Sequence, residues 1–240
     1  MMAKKMDVMK TPLFLLISYT ILCGCAGSPP EQKNRSTSSD IEALIEKLAI
    51  SEQLAGDFPV YTPSRNTPKT DKRIVAYDAA DKIKSYGKLA FPYLLKHLGD
   101  KRQSVAFRRV IPHDVADACY CIIRSQVFLL PESYHGSFYR KGADGENHGR
   151  PYFLKPALFT PQTIESWLAE RRDMTLSEMQ IEALQWLIEK EKEIGFQNKE
   201  DKKKFLYPLE RQLKKVERRL NKDTKEEIKN RHSEQQPTNV

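Results

Sequence analysis

The chain has 240 residues, 30% of them charged and 40% hydrophobic, with ten glycines and a formal net charge of +8. That is enough for one domain with a core of its own, or one domain and a tail, and high charge with little glycine argues against an all-β protein and for an all-α one. The positive balance invites a nucleic-acid reading, but Lys199 to Arg231 hold 13 lysines and arginines against 7 acidic residues, so the excess sits in one segment and the body is near neutral.

Lys4, Lys5 and Lys10 open the chain as a basic region, diluted only by Asp7. Leu13 to Leu22 is then almost wholly apolar. At about 10 residues it fits the core of a signal peptide and falls short of the ~20 that a membrane-spanning helix needs. Leu22-Cys23-Gly24-Cys25 follows. This tetrapeptide resembles the lipobox of bacterial lipoproteins, with Leu three residues before the cysteine and Gly just before it. The cysteine at the second position departs from the usual Ala or Ser. The resemblance implies cleavage between Gly24 and Cys25, a diacylglycerol thioether on the Cys25 thiol and a third, palmitate-type acyl chain on its amine. Each buried methylene contributes ~0.8 kcal/mol, so three chains hold the protein in a membrane. The other reading is a secreted protein cut nearby, with Cys25 an incidental thiol. Residue 26 is Ala rather than Asp, so in a Gram-negative cell the expected place is the outer membrane, facing the periplasm. No nucleic-acid partner is expected there. With Cys23 removed and Cys25 lipidated, only Cys119 and Cys121 remain. Two apart on a helix they point in different directions and read as buried free thiols.

Residues 25–38 read as a flexible tether, with Pro29, Pro30, Ser28, Ser36 and Thr37 and no apolar periodicity. Ser39-Asp40-Ile41-Glu42 has the form of a capping box, and Ile41, Leu44, Ile45 and Leu48 predict a helix to about Leu54. Thr70 or Asp71 starts the next, with Ile74, Ala76, Ala79, Ala80 and Ile83 on its packed face. Gly87 ends it. Pro92 opens another, faced by Leu94, Leu95 and Leu98. The run Ala76, Ala79-Ala80, Ile83, Gly87, Ala90, Pro92, Leu94-Leu95, Leu98, Asp100 resembles a HEAT-type repeat, which implies paired antiparallel helices and a binding scaffold. One repeat cannot bury its own faces. Asp114 to Phe128 predicts a central helix, with His113-Asp114 as its cap. Thr160-Pro161 starts a helix through Trp167, and Thr175 to Glu178 is a second capping box ahead of Met179 to Ile194. The expected domain, 39–198, is thus an irregular HEAT-like array of about six helices. A charged amphipathic helix follows over 199–231, with Leu209, Leu213, Val216 and Leu220 as a stripe for a neighbour or a short coiled coil. Residues 232–240 read as a disordered tail.

Leu129 to Phe159 is the stretch in which to seek a site. It holds Gly136, Gly142, Gly145 and Gly149, and six aromatics. Loops this long in compact domains are functional or disordered, and such aromatic density argues against disorder. Tyr134, His135, Phe138, Tyr139, Tyr152 and Phe153 are the candidate binding residues. Asp144, Glu146 and His148 are an oxygen-rich group with at most a weak metal-binding pattern. They lack the EF-hand spacing, and no zinc motif is present. No nucleophile elbow surrounds Ser125, Ser133 or Ser137. The expected function is a non-catalytic, lipid-anchored module binding an envelope protein, without a cofactor. The alternative is an envelope hydrolase with 129–159 as its active site, in which His135, Glu146 and His148 would converge.

Overall fold

A computed structural model describes residues 31–50, 71–106, 113–134, 138–153 and 157–234. Helices dominate, joined by two small antiparallel ladders. The all-α expectation is therefore met in the coarse sense, and the ladders are an addition to it. Gly24, Cys25, the lipobox and residues 235–240 lie outside the described residues.

Helix α1 spans Glu31–Glu46. It starts before the expected capping box, so Ser39 and Asp40 lie inside it and the tether does not reach Ser38. After Pro29-Pro30 nothing in Glu31 to Asp40 breaks a helix, and proline belongs at or before a helix start. Ile41, Ile45 and Leu48 are fully buried. The helix ends well short of Leu54.

Helix α2 (Lys72–Ser85) is capped by Asp71, whose carboxylate accepts from the Arg73 amide at 2.8 Å. Its buried face is Ala76, Ala79, Ala80 and Ile83. Gly87, at φ +57°, turns the chain into a short 3-10 segment that runs straight into α3 (Phe91–Lys96). α2 and α3 each pack on α1 and on the next helix. The Lys88 ammonium donates to the Arg172 and Met174 carbonyls, both at 2.5 Å, tying this turn to the distant link between Glu170 and Leu176. After α3, Arg102 donates to both Asp100 and Glu46. That guanidinium holds the Asp100 carboxyl down at about 2 and lowers that of Glu46.

Strands β1 (Gln103–Ser104) and β2 (His113–Asp114) pair antiparallel and lead into α4 (Val115–Phe128). Asp114 caps α4 as expected, accepting from the Asp117 amide at 2.8 Å. α4 is buried on nearly every side, from Val115 through Cys119, Ile122 and Ile123 to Phe128, which marks a hub rather than a surface helix. It meets α2 and α3 on one hand and the later helix Leu176–Ile194 on the other. Cys119 and Cys121 are both buried and outside any disulfide, and burial pushes the Cys119 thiol up to about 12. It is inert at neutral pH.

Strands β3 (Tyr139–Lys141) and β4 (Asn147–Gly149) form a hairpin in register Arg140 to His148. Helix α5 is Ile164–Glu170. It begins later than Thr160 because the Thr160 amide donates to the Thr163 hydroxyl at 2.8 Å, closing a turn first. Helix α6 (Leu176–Ile194) carries the complete Thr175–Glu178 capping box. A short α7 (Lys199–Asp201) and a π-helical turn (Lys202–Leu206) pass into α8 (Tyr207–Glu234). The last helix runs past Arg231 because no glycine or proline stops it there. Leu209 and Val216 are buried against the domain, and α6 is the main partner of α8. Leu209, Leu213 and Val216 of the apolar stripe are thus covered within the chain, and Leu220 is half-buried.

Candidate functional site

The 138–153 hairpin is not a mobile fringe. It is nailed to α6 by a buried ionic knot. Glu191 is 0% exposed, yet it stands on the apolar stripe of α6, one turn after Leu187 and Ile188. Arg140, from β3, reaches its Oε2 through Nε at 2.7 Å and its backbone carbonyl at 2.8 Å. The same guanidinium donates to the carbonyls of Gly195 at 2.7 Å and Lys141 at 3.0 Å. Arg150, just after β4, lies 3.6 Å from the other carboxylate oxygen and donates to the Tyr134 carbonyl at 2.8 Å. The Tyr134 hydroxyl donates to Glu191 Oε1. Burial, and then the Glu191 charge, push that phenol well above its ordinary range, so it stays a donor.

Two cations face one anion here. Aromatic faces and carbonyl dipoles take up the second positive charge. Arg150 lies 4.1 Å from the Tyr134 ring centre and 4.9 Å from that of Phe205, while Arg140 lies 4.9 Å from Phe196. Such contacts strengthen when desolvated.

A second support is a file of rings. Trp167 meets Phe159, Phe159 meets Phe128, Phe128 meets Tyr152, Tyr152 meets Phe153, and Phe153 meets Phe138, with centres 4.8 to 5.7 Å apart. The file runs from the core outward. At its end Phe138 is 59% exposed and Tyr139 58%. Of the candidate binding residues, Tyr152 and Phe153 are half-buried. Tyr134 leaves the set. It is buried and serves the knot, because its hydroxyl finds Glu191 rather than solvent. His135 lies outside the described residues.

The hairpin tip holds the acidic and imidazole candidates. His148 Nε2 sits 2.8 Å from Asp144 Oδ2, and the Glu146 amide donates to Asp144 Oδ1 at 3.0 Å. That amide first, and then His148, lower the Asp144 carboxyl. These bonds shape a turn, and the Glu146 carboxylate is exposed and takes no part in them. Among the described residues no group of three or more His, Cys, Asp and Glu is placed to hold a metal ion, and no helix is long and apolar enough to cross a membrane.

Sequence reading had missed Arg140, Arg150 and Glu191. A signal existed for Glu191 alone, since its spacing puts a charge where α6 needs an apolar residue. Comparison with family models, with curated proteins and with solved structures finds no match for this chain.

Proposed function

We propose that this chain is a lipid-anchored, non-catalytic binding module of a bacterial cell envelope, and that the β3–β4 hairpin is the element it presents to a protein partner. One observation carries the reading: two large aromatic side chains, Phe138 and Tyr139, stand in solvent on a hairpin whose base is fixed by a fully buried salt bridge. Exposed aromatics are common and unremarkable one at a time. Here they are adjacent and rigidly backed, so ordering them on binding costs little, which is the property that makes aromatic anchors dominate interfaces. The HEAT-like reading of 76–100 fits the same role. It draws on the Gly87 turn, the Pro92 start and the Asp100–Arg102 pair that closes the segment. The anchor reading draws on the lipobox alone.

Two experiments test this. With Phe138→Ser and Tyr139→Ser combined, capture of a cross-linked envelope partner should fall at least tenfold, taking roughly 1.4 kcal/mol as the minimum worth of the pair. The urea midpoint should fall only slightly, because neither ring is buried and Phe138 gives up a ring contact with Phe153 worth about 0.5–1.5 kcal/mol. Undiminished capture by the double variant rules the hairpin out as the contact. Separately, with membranes washed in ~1 M salt to strip peripheral electrostatic contacts, Cys25→Ala should move the protein from the membrane pellet to the soluble fraction. Retention in the pellet would end the lipid-anchor reading and leave the hairpin reading standing.

A further inference from the structure

Helix α8 has a second face. An α-helix steps by about 100° per residue. On that count Leu209, Leu213, Val216 and Leu220 fall within an arc of roughly 60°, the side packed on the domain. Arg211, Lys214, Lys215, Arg218, Lys222 and Lys225 fall within an arc of roughly 100° diametrically opposite. All six are exposed. Between Arg211 and Lys225 no acidic and no apolar residue shares that arc. Glu210 and Glu217 lie on the flank, where Glu210 approaches Lys192 of α6 at 3.8 Å. Among the described residues Arg211, Lys214, Lys215 and Arg218 form no salt bridge, and of the six only Lys222 forms an ion pair, with Glu226 at 3.6 Å.

A helix that merely faces water mixes its charges, because like charges three or four apart repel and opposite ones attract. The solvated side of α6 does so, with Glu189, Lys192 and Glu193. The outer side of α8 sets Arg211 beside Lys215, Lys214 beside Arg218, and Arg218 beside Lys222, each a repelling pair. The ridge is straight and convex and runs about 21 Å from Arg211 to Lys225 at 1.5 Å per residue. It has no walls to enclose a polymer strand and no aromatic on which a sugar could stack. A planar anionic surface needs neither. It requires only a row of cations that reach it together.

We propose that the outer face of α8 is an electrostatic docking surface for a bilayer rich in anionic phospholipid headgroups. The apolar stripe is already used against α6, so nothing inserts among the acyl chains, and the contact is peripheral and salt-sensitive. It requires neither the N-terminal anchor nor a partner at the hairpin.

The test compares binding of the full chain to vesicles of phosphatidylcholine alone and of equal parts phosphatidylcholine and phosphatidylglycerol. The quantity read is the ratio of the two affinities, from which any contribution of the N-terminal segment common to both vesicles cancels. Each cation held near such a surface is worth roughly fivefold. The variant R211Q/K214Q/R218Q/K222Q should therefore lose roughly 600-fold of the ratio shown by the natural sequence, and R218Q alone about fivefold. In ~1 M salt, where screening acts within ~3 Å, the ratio should fall to near one. A control removes the same charge elsewhere. K84Q/K96Q/K101Q/K190Q takes away lysines already paired with Asp81, Glu42, Asp114 and Glu193, and it should keep the ratio. The proposal is overturned if the first variant keeps the ratio, or if the control loses as much. It is overturned equally if the natural chain shows a ratio near one while binding polyphosphate or polyglutamate tightly, which would make the face a polymer site.

Discussion

Replacing Glu191 by alanine should lower the unfolding free energy by about 3–5 kcal/mol, the usual effect of removing one partner from a buried ion pair. Domains of this size are stable by only about 5–15 kcal/mol, so the variant should unfold at a much lower urea concentration. The reason is specific to the knot. Arg140 and Arg150 are both buried, and Glu191 is the carboxylate that both approach. Without it two guanidinium groups stay in the interior with the carboxylate between them gone. Glu191→Gln keeps the shape and one acceptor but not the charge, so it should fall between the alanine variant and the natural chain. The triple change Arg140→Met, Arg150→Met, Glu191→Leu removes all three charges and should recover most of the loss, since apolar replacements of buried ion pairs are often neutral or better. Amide exchange read over 139–149 separates fold from hairpin. In Glu191→Ala those amides should exchange faster than those of α4. If the urea midpoint of Glu191→Ala matches that of the natural chain, the knot is not what holds the hairpin down.

Gly195→Ala should be the next most damaging single change, at about 2–4 kcal/mol. Gly195 has φ +75°, a backbone region that costs other residues of order 1–3 kcal/mol. A Cβ there would sit 2.6 Å from the Ala143 Cβ, an overlap that costs about 1–3 kcal/mol when packed groups must shift. Ala143 cannot simply withdraw, because its amide donates to the Ile194 carbonyl at 3.1 Å. The Gly195 carbonyl is also an acceptor for Arg140. The substitution thus pushes the hairpin tip away from the end of α6 and disturbs the knot at once. Thermal unfolding measures the loss, and Ala143→Gly in the same chain should return the steric part of it while leaving the backbone part. If the double change is no better than Gly195→Ala alone, the Ala143 contact is not the cause.

Local rules made much of this fold legible. The stripes of α4 and α6, the Asp114 cap, the Thr175 box and the Gly87 turn all depend on residues a few positions apart. So does the arrangement of Cys119 and Cys121. What escaped the sequence joins distant residues. Arg140 and Glu191 are 51 positions apart, and in a chain so rich in charge Arg140 looks like one more solvated side chain, so the off-pattern Glu191 had no partner to be read against. The loop's aromatic density argued against disorder, and the file from Trp167 to Phe138 is the packing that orders it. Which ring would end outside could not be read, since Tyr134 and Tyr139 are alike on paper and opposite in burial. The start of α1 was misplaced for a related reason. A polar stretch with proline just ahead reads equally as tether or helix, and Ile41, Ile45 and Leu48 anchor only its far end.

The π-helical turn Lys202–Leu206 sets the phase of the C-terminal helix. Phe205 in that turn lies over both arginines of the knot, while Leu209 and Val216 lie against the domain. A regular helix would rotate one of these contacts out of place, and the wider turn absorbs the misfit. The residue count between Phe205 and Leu209 therefore fixes the angle between the hairpin's foundation and the cationic ridge. Sequence drift along the ridge is cheap, because side chains there can be exchanged one at a time. Adding or removing a single residue at the turn is not, because it would swing the whole ridge by about a quarter of a revolution while the hairpin stayed where it was.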